Sequence, residues 1–336
     1  MLEVSSQTES LLVEFKRRQD HAINAYIPSS SNGHNQTSYH KSNSRYRLLF
    51  GGNQSGKSHA AAFDCACNAR GRNDHNPEVN ITGRDIEIWV IAPEYSIIKS
   101  GIYRHLKDII PEWDLIREGP RVPGHNLPTF VEVRRKDDFK TTISLMSAKG
   151  EAREKFQAAA VDFFYIDEEI PGDIWEELEA RTLATGGHFS ISATLVESYE
   201  WICDLEKQAL KEQRDDSILC PTVFLTRLNT ELNPYLDSTT VGYLKEKWSS
   251  DTLEYRFYGK ARRLSGIVYN TWDDHRHAIK PFPIPYDWPR WCAIDPGIRI
   301  CAALWIAVGP DGQAFAYREL YAANEPLWQV AAYNSR

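Results

Sequence analysis

Among its six cysteines, Cys65, Cys67, Cys203, Cys220, Cys292 and Cys301, the sequence has no C-x-x-C pair and no histidine partner at zinc-finger spacing. That excludes the common zinc frameworks, and the cysteines read as reduced, structural thiols. No apolar run approaches the roughly 20 residues of a membrane span. The start, Met1-Leu2-Glu3-Val4-Ser5-Ser6, lacks the basic and apolar regions of a signal peptide. The expected compartment is therefore the cytoplasm, with no membrane partner. An excess of basic charge is also missing: 39 Lys and Arg against 46 Asp and Glu leave a formal net charge of -7. That argues against a protein coated in basic surface, although a local basic groove can still bind nucleic acid.

What is present is ordinary for a folded protein. The 336 residues are 42% hydrophobic and 25% charged, enough for two domains with real cores, or one large domain and part of another.

The most informative stretch is Gly51-Gly52-Asn53-Gln54-Ser55-Gly56-Lys57-Ser58, preceded by the apolar Leu48-Leu49-Phe50 and followed by an Ala-rich segment from His59 to Ala69. A buried strand, a glycine loop and a helix start form the context in which G-x-x-x-x-G-K-[ST] binds phosphate. Glycines let the loop fold back so that backbone N–H groups share one concavity, and the helix adds the positive end of its dipole. Lys57 would reach the β and γ phosphates, and Ser58 would offer its hydroxyl to Mg²⁺. The alternative is a Gly/Ser turn that happens to contain a lysine.

The second informative site closes the almost continuous apolar run Val161 to Ile166, which ends in Asp167-Glu168-Glu169. Such a run suits a parallel strand covered on both faces, and an acid at its carboxyl end points into the crevice where open α/β sheets bind ligands. Asp167 would hold Mg²⁺ and Glu168 would orient and deprotonate an attacking water. The competing reading is an acid cluster capping a helix that starts near Asp173. The separation of 110 positions between Lys57 and Asp167 suits an ATPase with an inserted strand and an added catalytic glutamate.

Elsewhere the signals are weaker. Leu11 to Ile27 reads as a charged helix and Pro28 to Asn35 as a loop. Gln36, upstream of the first strand, is either an adenine reader or a solvated loop residue. Ile86 to Ala92 is a strand, and Thr129 to Arg134 with Thr141 to Met146 forms a hairpin. His188 to Ala193 is a strand whose end, Ser192-Ala193-Thr194, lies beside Asp167 if the two strands are neighbours. Its hydroxyls either sense a γ phosphate or cap the next helix. Pro221 to Arg227 is a further strand, and Tyr243 to Tyr258 reads as one helix with a basic and aromatic surface. Arg256, Lys260, Arg262 and Arg263 either touch phosphates or form a solvated charge run. The proline-rich His277 to Pro289 marks a boundary. Trp291 to Gly297 is a strand closing on Asp295, and Ala302 to Val308 with Gln313 to Leu320 forms a second hairpin.

In their order, Gln36-x-x-Tyr39-His40, Arg47 to Ser58, Arg153-Glu154-Lys155-Phe156-Gln157, Phe163 to Glu169, Tyr258-Gly259-Lys260, Ser265 to Tyr269, Pro281 to Pro289 and Ile294-Asp295-Pro296-Gly297 resemble the large terminase subunit of tailed phages. The resemblance runs from about residue 25 to 325.

It implies an α/β fold: a P-loop NTPase of the RecA-like, ASCE type with a mostly parallel sheet flanked by helices, followed by the first strands of an incomplete RNase H-like domain. The implied organisation is an N-terminal helix and adenine-side segment over 1–44, an ATPase core over 45–228, a subdomain and linker over 229–288, and a partial nuclease domain over 289–336. The implied activity is ATP hydrolysis with Mg²⁺ that threads double-stranded DNA into a procapsid. Its implied partners are the portal protein and the small terminase subunit, in a ring of identical chains. By matching position, Gln36 is the adenine reader, Gly51, Gly52, Asn53, Gln54, Ser55, Gly56, Lys57 and Ser58 the phosphate loop, Asp167 and Glu168 the metal and water residues, and Ser192 to Thr194 the coupling motif. Asp295 falls on the first metal-binding acid of the nuclease.

Two departures stand out. Some terminases carry an arginine inside the phosphate loop, and Asn53-Gln54-Ser55 has none. Arg153, acting from a neighbouring subunit, is the candidate, against a structural surface arginine. The family also draws its later nuclease acids from sequence beyond residue 336, so the expectation is that this chain does not cleave DNA, since a two-metal nuclease needs several converging carboxylates. A remnant that binds nucleotide or packaging partners without motor activity is the alternative function, and a helicase-like ATPase is a third.

Overall fold

The structure is a computed structural model that describes residue 16 and residues 21–149, 160–196, 199–260, 277–296 and 300–323. Most of the helix read over Leu11 to Ile27, and the stretch Ser265 to Tyr269, lie outside the described residues. The chain divides into two compact units, Met1–Gly266 and Ile267–Arg336.

The first unit is built on eight strands: β1 Tyr46–Gly51, β2 Ile86–Ala92, β3 Leu115–Glu118, β4 Phe130–Arg134, β5 Lys140–Ser147, β6 Phe163–Asp167, β7 His188–Ala193 and β8 Val223–Leu228. Their order in the sheet is β3-β4-β5-β2-β6-β7-β1-β8. From β5 to β8 every pairing is parallel. β4 runs antiparallel to β5, as the short connection 135–139 requires, and β3 adds antiparallel to β4.

The central strands are apolar along their length because helices cover both faces. In β2, Ile88 and Val90 pack with the helices Lys57–Ala69 and Ile102–Ile109, while Trp89 and Ile91 face the opposite core. In β6, Phe163 and Tyr165 join the first core, and Phe164 and Ile166 join the second beside the helices Gly172–Ala180 and Glu200–Glu212. The long spacing between the two motifs is filled by β2 to β5, while β7, which follows Asp167 in the chain, inserts between β1 and β6 in the sheet.

A buried polar network pins this sheet to the helix behind the glycine loop. Arg47 on β1 donates two hydrogen bonds to Asp64, at 3.1 and 2.7 Å. The Tyr165 hydroxyl on β6 donates to the same carboxylate at 2.6 Å, and Asn68 donates to the Tyr165 oxygen at 2.7 Å. Both partners of the Arg47–Asp64 pair are almost wholly out of water. Burial alone would push the Asp64 carboxyl up, but Arg47 and His40 hold it below the usual carboxylate range.

Several local readings change. Gln36 lies in a short helix, Gln36–Lys41, capped by the Asn35 side chain. The single helix read over Tyr243 to Tyr258 is two, Ser238–Lys247 and Ser250–Arg256. Trp248 takes extended backbone and the Ser249 hydroxyl accepts from Thr252 N to start the second. Hydrophobic periodicity runs through that junction and hides the new cap. Cys65, Cys67 and Cys301 are buried, whereas Cys220 and Cys292 are exposed, so a packing role does not extend to those two. None of the six cysteines, all of them among the described residues, forms a disulfide.

The second unit is an antiparallel sheet in the order β11-β10-β9, formed by β9 Arg290–Pro296, β10 Ile300–Val308 and β11 Ala314–Ala323. The proline-rich stretch ahead of it packs Phe282 and Trp288 against Phe315, with ring centroids 5.3 and 5.5 Å apart. Among the described residues, no helix is long and apolar enough to cross a membrane.

Candidate active site

The glycine loop leaves β1 at Gly51 and enters the helix at Lys57. Gly56 has φ +90°, a left-handed conformation that favours glycine. At Gly52 there is no room for a side chain: a Cβ would sit 1.8 Å from the Arg256 carbonyl oxygen. Asn53 N donates to that same oxygen at 2.9 Å, so the end of the helix Ser250–Arg256 lies directly on the loop.

Four successive loop carbonyls, Asn53 to Gly56, are held by side chains from outside the loop. The Thr230 hydroxyl donates to Asn53 O at 3.0 Å, Asn233 Nδ2 to Gln54 O at 2.7 Å, His34 Nε2 to Ser55 O at 2.9 Å and Gln36 Nε2 to Gly56 O at 3.4 Å. In a trans peptide unit C=O and N–H point in opposite directions. Anchoring the Ser55 and Gly56 carbonyls outward therefore turns the Gly56 and Lys57 N–H groups the other way, toward the concavity. The loop opens into a cleft of about 970 Å³.

Lys57 is buried, and its ammonium donates to Gly51 O at 3.1 Å, Gly52 O at 2.9 Å and the Thr194 hydroxyl at 2.9 Å. Burial lowers its pKa, against the pull of Glu168 and Asp167. The next residue, Ser58, donates its hydroxyl to Asp167 Oδ1 at 3.1 Å. Asp167 ends β6 in register with Ser192 of β7, whose hydroxyl donates to Asp167 Oδ1 at 2.8 Å. Burial raises the Asp167 carboxyl, and the hydrogen bonds from Ser192 and Ser58 and from the Ile102 amide, with the Lys57 charge, oppose it.

Glu168 breaks the strand with φ +73°. This left-handed turn is costly for a residue with a Cβ, and it swings the carboxylate to the end of β7, where Glu168 Oε2 accepts from Thr194 N at 2.8 Å. Burial pushes the Glu168 carboxyl up to about 7, against the neighbouring Lys57 charge. Glu169 turns elsewhere and accepts from Val196 N at 2.8 Å. The helix Gly172–Ala180 has no side-chain cap, so the three acids do not serve it in that way.

Lys57, Ser58, Asp167, Glu168, Ser192 and Thr194 thus converge on one crevice. Gln36 sits at its edge with Oε1 accepting from Ser29 N at 3.1 Å and Nε2 on the loop. Arg153, Arg262 and Arg263 lie outside the described residues. Asp295 is exposed in the second unit, opposite Ala302. Among the described residues no group of three or more His, Cys, Asp or Glu side chains is placed to hold a metal by itself.

Sequence reading missed His34, Gly101, Thr230 and Asn233. At Gly101 a Cβ would stand 2.2 Å from Asp167 Oδ2, so its lack of a side chain lets the start of the helix Ile102–Ile109 approach the acid. Thr230 and Asn233 sit in an Asn-Thr-Glu-Leu-Asn-Pro turn whose sequence signals a turn and nothing about its neighbour.

Residues 48–218, just over half of the chain, match the family model of the terminase large subunit, T4likevirus-type, N-terminal. The chain belongs to this family. That makes it a terminase large subunit of the DNA-packaging class. Its fold is similar to that of the large terminase from a thermophilic bacteriophage, with a TM-score of 0.53 at 13% identity over 87% of this chain and 68% of that one. The same phage protein in complex with ADP gives a TM-score of 0.51 at 12% identity, with the same coverage. No match is found among curated proteins.

Proposed function

We propose that this chain hydrolyses ATP to drive double-stranded DNA into a procapsid, working in a ring of identical chains at the portal in the host cytoplasm, with a small terminase subunit as partner. The observation that carries the reading is the convergence of Lys57, Ser58, Asp167 and Glu168 beside a loop whose Asn53, Gln54, Ser55 and Gly56 carbonyls are tied back.

In this reading the loop amides and Lys57 bind and orient the triphosphate. Ser58 and Asp167 would hold Mg²⁺. A hydroxyl against a buried carboxylate with few other protein ligands suits an ion that completes its shell with water and phosphate oxygens. When bound, the ion neutralises charge on the phosphate oxygens. Glu168 accepts a proton from a water whose oxygen attacks the γ phosphorus, while the bond to the β–γ bridging oxygen breaks and ADP leaves. Thr194, bonded to both Lys57 and Glu168, is suited to coupling phosphate occupancy to the position of the base. Arg153 remains the candidate for charge stabilisation from a neighbouring subunit.

DNA-stimulated ATPase activity is the test. The motor should turn over ATP faster when linear duplex is added, whereas a remnant that only binds nucleotide should show no turnover to stimulate. A second expectation concerns the loop. Gly52→Ala should weaken ATP binding in a titration, because its methyl group meets the Arg256 carbonyl and either the loop or the helix Ser250–Arg256 has to move.

A further inference from the structure

Asp167 is a buried carboxylate that three separate elements hold in place. Ser192 on β7 donates to its Oδ1 at 2.8 Å. Ser58, in the helix behind the glycine loop, donates to Oδ1 at 3.1 Å and lies 3.3 Å from Oδ2. The third element is the junction between the helices Tyr95–Ser100 and Ile102–Ile109, whose one linking residue is Gly101. The Ile102 N–H donates to the Asp167 carboxylate, and a Cβ on Gly101 would stand 2.2 Å from Oδ2. An approach this close between backbone and carboxylate leaves no room for a side chain.

The junction is fixed from its other side. Gly101 N donates to Ile97 O at 2.7 Å, and the flanking Ile98 and Ile102 are fully buried in the core that also holds Ala62 and Ala66. Close-packed neighbours of this kind do not yield cheaply. A methyl group at position 101 is therefore relieved mainly by displacing the Asp167 side chain, away from the Ile102 N–H and out of line with Ser58 and Ser192. The nearest atoms to that methyl group belong to Asp167 and to the Ile97 carbonyl, and none of them to the glycine loop. The effect should thus fall on the acid and spare the groups that hold phosphate.

Resting on the Mg²⁺–nucleotide reading above, we propose that Gly101 is a positioning residue for the metal site: it lets the start of the helix Ile102–Ile109 close on Asp167 Oδ2, so that the carboxylate meets the ion in one fixed orientation. A partner that orients a metal's carboxylate is typically worth about 10–100-fold in metal affinity. Here that partner is backbone, and glycine is what admits it.

The experiment is equilibrium binding of ATP to the full chain, in EDTA and across a Mg²⁺ titration, for the wild type, Gly101→Ala, Asp167→Ala and the double variant, with the melting temperature of each in EDTA. Gly101→Ala should bind ATP in EDTA within about twofold of the wild type, and should need about tenfold more Mg²⁺ to reach half of its metal-dependent gain in affinity. Where Asp167→Ala has already removed the carboxylate, the methyl group has space. Adding Gly101→Ala there should leave the Mg²⁺ dependence unchanged and lower the melting temperature by less than it does in the wild type. An unchanged Mg²⁺ requirement in Gly101→Ala, an equal loss of ATP affinity with and without Mg²⁺, or a Mg²⁺ shift of the same size in the Asp167→Ala background overturns the positioning role while the nucleotide reading stands. Should Gly101→Ala fail to fold by itself, a folded double variant supports the contact with the acid and an unfolded one overturns it. A wild type that binds no ATP, or whose ATP affinity ignores Mg²⁺, removes the metal–nucleotide reading and the positioning role with it.

Discussion

Glu168→Gln is expected to bind ATP close to the wild-type level and to turn it over about 10²–10⁴-fold more slowly, the range for removing a positioned general base. The amide keeps an oxygen to accept from Thr194 N, so the end of β7 stays where it is and only the proton acceptor is lost. The pH dependence follows from the same burial. With its carboxyl pushed up to about 7, Glu168 is increasingly protonated below neutrality. Wild-type kcat/KM for ATP should therefore fall about tenfold per pH unit below pH 7, down to the next titration. Stability runs the other way. The folded pKa lies above the ordinary value near 4.5, so the protonated form favours the folded state. That contribution is fully present below about 4.5 and is lost as pH rises through about 7. Glu168→Gln should accordingly raise the melting temperature at pH 8 relative to wild type and change it little at pH 4. Turnover at the wild-type rate, or a melting shift that is the same at both pH values, would remove Glu168 from this role.

Asp64→Ala carries the largest expected loss of stability, about 3–5 kcal/mol, because it leaves the Arg47 guanidinium buried without its counter-charge. The substitution also strips an acceptor from Tyr165 and Asn68. Chemical denaturation reads the loss directly, as a lower midpoint. Replacing both partners, Arg47→Met with Asp64→Leu, should recover much of it, since an apolar pair needs no compensation. A double variant no better than Asp64→Ala would show that the hydrogen bonds to Tyr165 and Asn68 matter more than the unpaired charge. The Asp64 carboxyl is held below its usual range in the fold, so the contribution of the pair is present above that range and disappears as pH falls through the folded pKa. Acid should destabilise the wild type more steeply than the double variant.

These two residues mark different degrees of legibility. Glu168 stands out in sequence because it follows a continuous apolar run, and such a run with terminal acids has few structural meanings. Its partner Thr194 was readable only through the condition that β6 and β7 are neighbours, which their register meets. Asp64 gives no signal: an acid in an Ala-rich helix reads as a solvated face, and its match to Arg47 depends on how the helix packs against β1. The same holds for the break at Trp248 and for β3, whose four residues Leu-Ile-Arg-Glu are too few to show a period.

Taken by itself, the sequence determined the glycine loop between a strand and a helix, the strand that ends in acids, the parallel core between them and the family these imply, since each is written in contiguous residues whose conformational preferences and apolar periodicity are local. Tertiary structure alone decided what holds that loop open. Its carbonyls are bound by His34, Gln36, Thr230 and Asn233, two of them nearly 180 residues downstream of the loop. Packing of the sheet and its following turns brings such residues together, and a hydrogen bond between distant positions leaves no pattern along the chain.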